Sequence, residues 1–378
     1  MVMATSLTAA DHDYMARALR LAQRAMNITT PNPRVGCVLV RDGQIIGEGH
    51  TQPAGSHHAE VDALIAARHE AAGATAYVTL EPCSHQGRTP PCVDALIQAR
   101  VRRVVAAMQD PNPQVAGQGF ARLQAAGIET QWGLLAAEAH EINIGFVVRM
   151  TRGRPWLRLK MAASLDGKTA LNNGTSQWIT GVAARADGHR WRARACAILT
   201  GIGTVLEDDP RLTARPEHGV ENRAENGAEN KVRQPLKVII DSRLETPPTA
   251  RLLQEGSTLI AAACEDVEKM AVLRARGAEV VVLPDARGKV DLAALMQELA
   301  RRGINEVHGE AGHKLSGSLL GAGLVDELLL YYAPTLLGTA ARGMFQGPEL
   351  IDLAGRLDFS ITDLRRLGDD IRIMARPR

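Results

Sequence analysis

Apolar and polar positions recur at two periods along the chain, and the switches between them mark its elements. Met15, Ala18, Leu19, Ala22 and Met26 share one stripe at helical spacing, which predicts a helix over residues 11–27 with Asp11 as its N-cap. Short apolar runs at 35–40 and 45–47 flank the turn Arg41-Asp42-Gly43 and read as paired strands. A helix over 58–69, a strand over 76–80, a helix from about Thr89 and a strand over 101–108 follow. The Pro/Gly-rich loop DPNPQVAGQGF at 110–120 then leads into a helix over 121–126. Strands alternating with helices in this way predict an α/β sandwich around a buried sheet.

The pattern resets at Thr151-Arg152-Gly153-Arg154-Pro155, a basic stretch with Gly and Pro, which places a domain boundary there. The expected domains are residues 1–151 and 152–378. Beyond the boundary, strands are expected at 156–163, 195–200, 236–241, 258–262, 280–283, 306–307 and 327–332. Helices over 182–194, 267–276 and 291–302 separate some of them, so the second domain is also α/β. Residues 217–234 (EHGVENRAENGAENKVRQ) repeat Glu-Asn three times, lack periodicity and read as a flexible insertion loop.

Composition narrows the classes of function. At 378 residues, 45% hydrophobic and 23% charged, the chain is an ordinary globular protein of about two domains. A net charge of +2 leaves no electrostatic footprint for nucleic acid, and four Trp, four Tyr and four Phe supply few stacking platforms. No apolar run approaches the roughly 20 residues of a membrane span. The first residues carry no basic flank and apolar core of a signal peptide, and five cysteines make no disulfide framework. The expectation is a cytoplasmic protein with a small-molecule substrate and neither a nucleic-acid nor a membrane partner.

The chemistry concentrates in four residues. His58-Ala59-Glu60, Pro82-Cys83 and Cys92 supply one imidazole and two thiolates, the three-ligand set of a catalytic zinc that leaves a fourth position open. Glu60 is then placed to take a proton from water and deliver it to a leaving amine. Mid-helix positions two apart point about 200° away from each other, so His58 is expected at the start of its helix. Cys92 falls in the first turn of the helix opened by Thr89-Pro90-Pro91, where the helix dipole favours a thiolate. Cys37, Cys196 and Cys264 read as small core residues, and His57 and His85 as pocket lining or plain loop. The eight residues between Cys83 and Cys92 point away from the nucleobase editors, whose cysteines are two residues apart.

The strings PNPRVGCVLV (31–40), HAEVDAL (58–64), YVTLEPCSHQGRTPPC (77–92) and DPNPQVAG (110–117) resemble the deaminase half of the bifunctional riboflavin-biosynthesis deaminase/reductases. LKMAASLDGKTA (159–170), SQWITG (176–181), GIGTVLEDDPRLTAR (201–215) and VDELLLYYAPTLLG (325–338) look like the reductase half. The resemblance covers nearly the whole chain. It implies a cytidine-deaminase-like α/β/α sandwich followed by a dihydrofolate-reductase-like α/β domain. The implied reactions are hydrolytic deamination of a diaminopyrimidinone ribosylamino 5′-phosphate, then NADPH-dependent reduction of the ribosyl group to ribityl.

By matching positions, the resemblance makes His58, Cys83 and Cys92 zinc ligands and Glu60 the proton shuttle. It puts Asn32 in the pyrimidine pocket, where an amide offers both a donor and an acceptor. Arg88, in the loop between the cysteines, could meet the phosphate, with a solvated loop cation the other reading. Ala162, Trp178, Thr204, Asp208 and the stretch from Gly312 look like nicotinamide-nucleotide contacts. Ser176, Arg192, Leu212, Arg215 and Glu310 look like contacts to the ribosylamino phosphate, for which guanidinium forks suit a phosphate monoester. Lys160 and Asp166 are candidates for pocket polarity, with a strand-end ion pair an equal reading.

The residues alone say less about this second site. Gly201-Ile202-Gly203 starts like a dinucleotide fingerprint, but Leu206 stands at the third glycine, so it reads as a strand-to-helix turn. Gly309–Gly323 follows a short strand and opens an apolar helix whose start can hold a pyrophosphate. Glu310-Ala311-Gly312 lacks a second glycine that many relatives carry, and the insertion at 217–234 directly follows Arg215. Two other readings stay open: a nucleic-acid base deaminase with an accessory domain, and a scaffold built on a retired deaminase fold. A homo-oligomer is also open.

Overall fold

The protein is described here by a computed structural model, over residues 7–113, 115–215 and 233–378. The chain divides into two compact units, Met1–Gly153 and Arg154–Arg378. The insertion expected at 217–234 lies outside the described residues except for its last two positions.

The first unit runs α1 (Ala9–Arg24), β1 (Gly36–Arg41), β2 (Gln44–His50), α2 (Ala59–Ala67), β3 (Thr75–Val78), α3 (Cys92–Gln98), β4 (Arg103–Ala106), α4 (Gln118–Ala125), β5 (Glu129–Trp132), α5 (Ala136–Ile142) and α6 (Ile144–Arg152). Its sheet has the order β2-β1-β3-β4-β5. β1 is antiparallel to β2 and β3, whereas β3, β4 and β5 are parallel. Alternation along the strands feeds two cores. Cys37, Leu39, Val78 and Val104 pack with Ala59 and Ala63 of α2, Leu96 of α3 and Leu123 of α4. Val38, Val40, Tyr77 and Val105 face the other way, onto Met15, Ala18 and Ala22 of α1 and Ala139 of α5. Helices thus cover both faces, which is the α/β/α layering of cytidine deaminases. Gly36 permits the close approach of β1 to α1, since a Cβ there would fall 1.9 Å from the Ala18 carbonyl oxygen.

The first helix begins earlier than its apolar stripe predicts. Thr8 is the N-cap and Asp11 the third helical residue of a capping box. The Asp11 carboxylate accepts the Thr8 N–H at 2.7 Å, and Thr8 Oγ1 accepts the Asp11 N–H at 3.2 Å. Asp11 is therefore turned inward, where it also accepts from Tyr77 Oη at 2.6 Å and Arg103 Nη1 at 3.0 Å.

The second unit runs β6 (Trp156–Ser164), β7 (Lys168–Ala170), α7 (Val182–Arg194), β8 (Ala197–Gly201), α8 (Ile202–Asp208), β9 (Leu236–Ile240), β10 (Thr258–Ala262), α9 (Val267–Ala275), β11 (Ala278–Val282), α10 (Leu292–Arg301), β12 (Glu306–Gly309), α11 (His313–Gly321), β13 (Glu327–Ala333), β14 (Arg342–Gly343), β15 (Phe359–Leu367) and β16 (Asp370–Pro377). Nine strands form one sheet in the order β11-β10-β9-β8-β12-β6-β13-β16-β15, and β7 pairs with β14 separately. From β11 to β13 neighbours are parallel, and the β15–β16 hairpin adds antiparallel strands at one edge.

β6 sits centrally and sorts its side chains by parity. Leu157, Leu159 and Met161 enter the main core. Arg158 and Ala162 belong to the opposite side, where Arg158 stacks over Trp191 of α7 and Ala162 packs near Tyr331. Arg158 is buried and bonds Glu327 at 2.6 Å and Glu306 at 3.2 Å, so its charge is paired inside the sheet. Among the described residues no helix is long and apolar enough to cross a membrane.

Candidate active sites

His58 is the N-cap of α2, with extended backbone angles of −80° and 166°, and Cys92 is the first residue of α3 behind the Pro91 N-cap. Two helix starts thus converge on Cys83. His58 Nδ1 lies 3.6 Å from Cys83 Sγ and 3.3 Å from Cys92 Sγ, and the three donor atoms all fall within 4.8 Å of one another. With zinc–sulfur and zinc–nitrogen bonds of about 2.3 and 2.0 Å, a tetrahedral ion spaces such atoms by about 3.5 Å. This borderline-soft donor set of one imidazole and two sulfurs therefore fits a zinc ion with one position to spare. Thr89 Oγ1 lies 3.5 Å from His58 Nε2, on the side away from the sulfurs, and suits a ring presenting Nδ1 to the centre.

Glu60, in the first turn of α2, is 4% exposed. Burial, together with the negative field of Cys83, pushes its carboxyl up to about 7. Cys83 is held below the usual thiol range by the hydrogen bond from the Cys92 thiol and by donors from His58 and the Cys92 backbone, against the effect of burial. The same thiol-to-sulfur hydrogen bond, with burial, pushes the Cys92 thiol up.

Glu81, two residues before Cys83, carries no signal in the sequence pattern that marks it as functional. Its buried carboxylate accepts backbone N–H groups from Asp110 at 3.0 Å, Gly117 at 3.0 Å, Gly119 at 2.8 Å and Phe120 at 3.4 Å. The 110–120 loop is thereby tied to the Cys83 segment. Gly119 makes the contact possible, because a Cβ there would sit 2.3 Å from the Pro82 oxygen. A buried carboxylate placed just before a cysteine and 29 residues ahead of a Gly-rich loop gave no periodic signal to detect. Asn32 sits partly buried in the loop before β1, while Arg88, His57 and His85 are exposed. Cys37 and Cys196 are buried in the two cores, but Cys264, expected there too, is exposed.

The second unit carries an open cleft of ≈ 290 Å³, lined among others by Ala162, Ser176, Trp178, Thr204, Asp208, Glu310 and Gly312. The fold brings these together from β6, α8, the turn before α11 and the loop before α7. Trp178 stands on the rim, 72% exposed, with Arg185 stacked on its ring at 4.8 Å. Gly312 is the N-cap of α11, and Gly201-Ile202-Gly203 forms the turn from β8 into α8.

Arg192 does not present an open fork to this cleft. Its Nε and Nη2 donate to the two oxygens of Glu310 at 2.5 and 2.7 Å, and Nη1 donates to the Thr213 carbonyl at 3.1 Å. A carboxylate thus fills the bidentate position that sequence reasoning gave to a phosphate. Burial works to raise the Glu310 carboxyl, but Arg192 outweighs it and holds it well below the usual range. Burial lowers the Lys160 ammonium, against the pull of Glu310. His189, lowered to about 4 by burial and by Arg192 and Arg215, accepts the Arg215 backbone N–H at 3.3 Å. Leu212 is buried at a φ of 50° and lines no part of the cleft, and Arg215 is exposed. Asp166 lies outside the cleft lining: it accepts from Ser164 Oγ at 2.5 Å and from the Leu337 and Gly338 backbone at 3.1 and 2.8 Å, fastening the 337–338 turn.

Comparison with known proteins agrees with these two units. Residues 8–108 match the cytidine and deoxycytidylate deaminase zinc-binding region, and residues 155–373 match the RibD C-terminal domain. The riboflavin biosynthesis protein RibD of Escherichia coli (strain K12) is 50% identical over 362 residues, covering 96% of this chain and 98% of that protein. The Haemophilus influenzae protein of the same name is 47% identical, with 97% of each chain covered. A solved structure of Acinetobacter baumannii RibD matches with a TM-score of 0.89 at 43% identity, over 98% of this chain and 99% of that one. The Thermotoga maritima diaminohydroxyphosphoribosylaminopyrimidine deaminase/5-amino-6-(5-phosphoribosylamino)uracil reductase matches with a TM-score of 0.84 at 31% identity, over 98% and 99%. With half its residues identical to one of these proteins across nearly its full length, the chain belongs to the RibD family of riboflavin biosynthesis proteins, bifunctional enzymes that join a zinc-binding deaminase domain to a reductase domain.

Proposed function

We propose that residues 1–151 deaminate 2,5-diamino-6-ribosylamino-4(3H)-pyrimidinone 5′-phosphate and that residues 152–378 reduce the ribosyl group of the product to ribityl. The observation that carries the reading is the triangle of His58, Cys83 and Cys92 with the buried Glu60 carboxyl beside it. His58, Cys83 and Cys92 would hold the zinc. When bound, it supplies a Lewis acid that makes water a competent nucleophile at neutral pH. Glu60, buried beside the three donors, would take a proton from the attacking water on a carboxylate oxygen and hand it to the departing amine. Asn32 pairs with the pyrimidine edge, and Arg88 serves the phosphate from the exposed loop between the cysteines.

In the second unit NADPH supplies the hydride. Ala162, Trp178, Thr204, Asp208 and Gly312 line the cleft that would receive it. The chain needs no covalent chemistry here: it orients sugar and cofactor and keeps water out. Ser176, Arg192, Arg215 and Glu310 serve the ribosylamino phosphate, and Leu212, buried away from the cleft lining, supports the loop that carries Arg215. The Arg192–Glu310 pair gives Arg192 a positioning part, with Arg215 the more open cation. No observation favours a nucleic-acid substrate, and we place the enzyme in the cytoplasm.

One paired assay tests the reading: ammonia released from the diaminopyrimidine phosphate, with NADPH absorbance followed in the same sample. Ammonia followed by stoichiometric NADPH loss is expected. Ammonia alone overturns the reductase assignment, and neither signal from zinc-loaded protein overturns both.

A further inference from the structure

Two side chains of opposite charge on the reductase cleft hold each other loosely. Arg342 stands on β14 and Glu207 on α8, and both line the cleft. Arg342 Nη1 lies 3.3 Å from Glu207 Oε1, and the two side chains are 31% and 61% exposed. A single-contact pair this open to water has little stabilising value. The neighbouring cations on the cleft are more firmly committed. Arg185 donates to the Thr180 carbonyl at 2.6 Å while stacking on Trp178, and Lys160 is drawn toward Glu310.

The strand beneath Arg342 is firmly anchored. β14 pairs with β7 on one side, and Thr169 Oγ1 donates to the Gly343 carbonyl at 3.3 Å. Just beyond, the Gln346 N–H donates to the His313 carbonyl at 3.0 Å, and a Cβ on Gly317 would fall 1.7 Å from the Gln346 oxygen. The segment is thus seated on the first turns of α11, whose start also lines the cleft. Arg342 combines a fixed backbone with an exchangeable partner.

We propose that Arg342 is a ligand for a phosphate of the bound dinucleotide and that Glu207 is its resident counter-ion, displaced when the cofactor enters. The inference rests on the reading that NADPH occupies this cleft. A phosphate offers the guanidinium shorter, doubled charge-assisted bonds in place of one 3.3 Å contact. The exchange swaps hydrogen-bond acceptors and transfers no proton. Glu207 competes for the cation and repels the incoming phosphate, so the two members of the pair act on affinity with opposite signs. A purely structural ion pair gives both the same sign.

The test is calorimetric titration of the full zinc-loaded chain with NADP+ and with NAD+, for wild type, Arg342→Ala, Arg342→Lys and Glu207→Gln. Circular dichroism and thermal unfolding establish that each variant is folded. Arg342→Ala is expected to weaken NADP+ binding about tenfold or more, with partial recovery in Arg342→Lys. Glu207→Gln is expected to tighten it about threefold. Equal losses for NADP+ and NAD+ in Arg342→Ala place the contact at the diphosphate, and a loss confined to NADP+ places it at the 2′-phosphate; both uphold the proposal. Unchanged affinity in Arg342→Ala, or weakening in both Arg342→Ala and Glu207→Gln, overturns it. Gly312→Phe, which fills the cleft, separates the two levels. If it leaves NADP+ binding intact, the cleft reading fails together with the proposal. If it abolishes binding while Arg342→Ala does nothing, only the role of Arg342 falls.

Discussion

Arg192 of α7 and Glu310, just after β12, are locked together by two parallel hydrogen bonds of 2.5 and 2.7 Å, 118 residues apart in the chain. His308 Nε2 lies 3.2 Å from the same carboxylate, and the Thr213 carbonyl takes the remaining Arg192 arm. The pair therefore couples α7, the 212–215 loop and the cleft wall into one unit.

Replacing Glu310 by Gln leaves a largely buried guanidinium without its counter-charge. Removing one partner of such a pair costs about 3–5 kcal/mol. The reductase transition in thermal unfolding should fall, and NADPH oxidation should drop at least about tenfold. Ammonia release, which depends on the other unit, should be unchanged. NADPH oxidation at the wild-type rate would show that the pair has no part in positioning.

Glu60→Gln removes the proton carrier while preserving size. Ammonia release should fall by at least about a hundredfold, with zinc content by metal analysis unaltered. Near-normal turnover in a zinc-replete variant would remove Glu60 from proton transfer.

Chelation of the metal, or Cys83→Ser, should abolish ammonia release and leave NADPH oxidation of pre-deaminated substrate largely intact. The His58, Cys83 and Cys92 donors all belong to the first unit, and the cleft lies wholly in the second. Loss of both activities would show that the units are not independent.

Glu81→Gln turns an amide NH2 or a weaker acceptor toward four backbone N–H groups that now share one carboxylate. Unsatisfied buried donors cost about 1–3 kcal/mol each, so the deaminase unit should melt earlier. KM for the pyrimidine should rise more than kcat falls, because the 110–120 loop is released while the donor triangle remains. Gly119→Ala should act in the same direction, since its Cβ would meet the Pro82 oxygen at 2.3 Å. Wild-type KM in both variants would deny the loop any part in binding.

Asp11 predicts a pH dependence of stability. Burial would raise its carboxyl, but hydrogen bonds from Tyr77, Thr8 and Arg103 outweigh that and hold it at about 2. Its folded value lies below the unfolded one, so the folded state binds fewer protons in between. The stabilisation, about 2 kcal/mol, is fully present above pH 4 and is lost as pH falls toward 2. Asp11→Asn should unfold earlier at neutral pH and show a flatter loss between pH 4 and 2 when acid unfolding is followed by circular dichroism. Parallel curves for variant and wild type would refute the linkage.

Much of this protein was legible in the chain itself. Apolar periodicity located most elements within a few residues, because burial on one face leaves a repeat that local order cannot hide. The constraint that His58 and Glu60 cannot share a pocket from mid-helix put His58 at a helix start, and α2 begins at Ala59. Other elements were not legible. β5 is half exposed, and in the β15–β16 hairpin Ile361, Leu364 and Ile371 are exposed while Asp370 and Arg372 are buried, so neither carries apolar residues at the alternating positions of a buried strand. The start of α1 was set by a reciprocal Thr8–Asp11 cap that outranked the apolar stripe.

Tertiary structure alone decided the electrostatics. Residue types and spacing identified His58, Glu60, Cys83 and Cys92, because a metal site is a matter of ligand chemistry over a short stretch of chain. Whether Arg192 offers its fork to a ligand or to Glu310, and whether Glu81 holds a loop or stands idle, depends on partners dozens to more than a hundred residues away. Hydrogen bonds and ion pairs act over a few ångströms in space, and only the folded chain specifies which distant residues come within that reach.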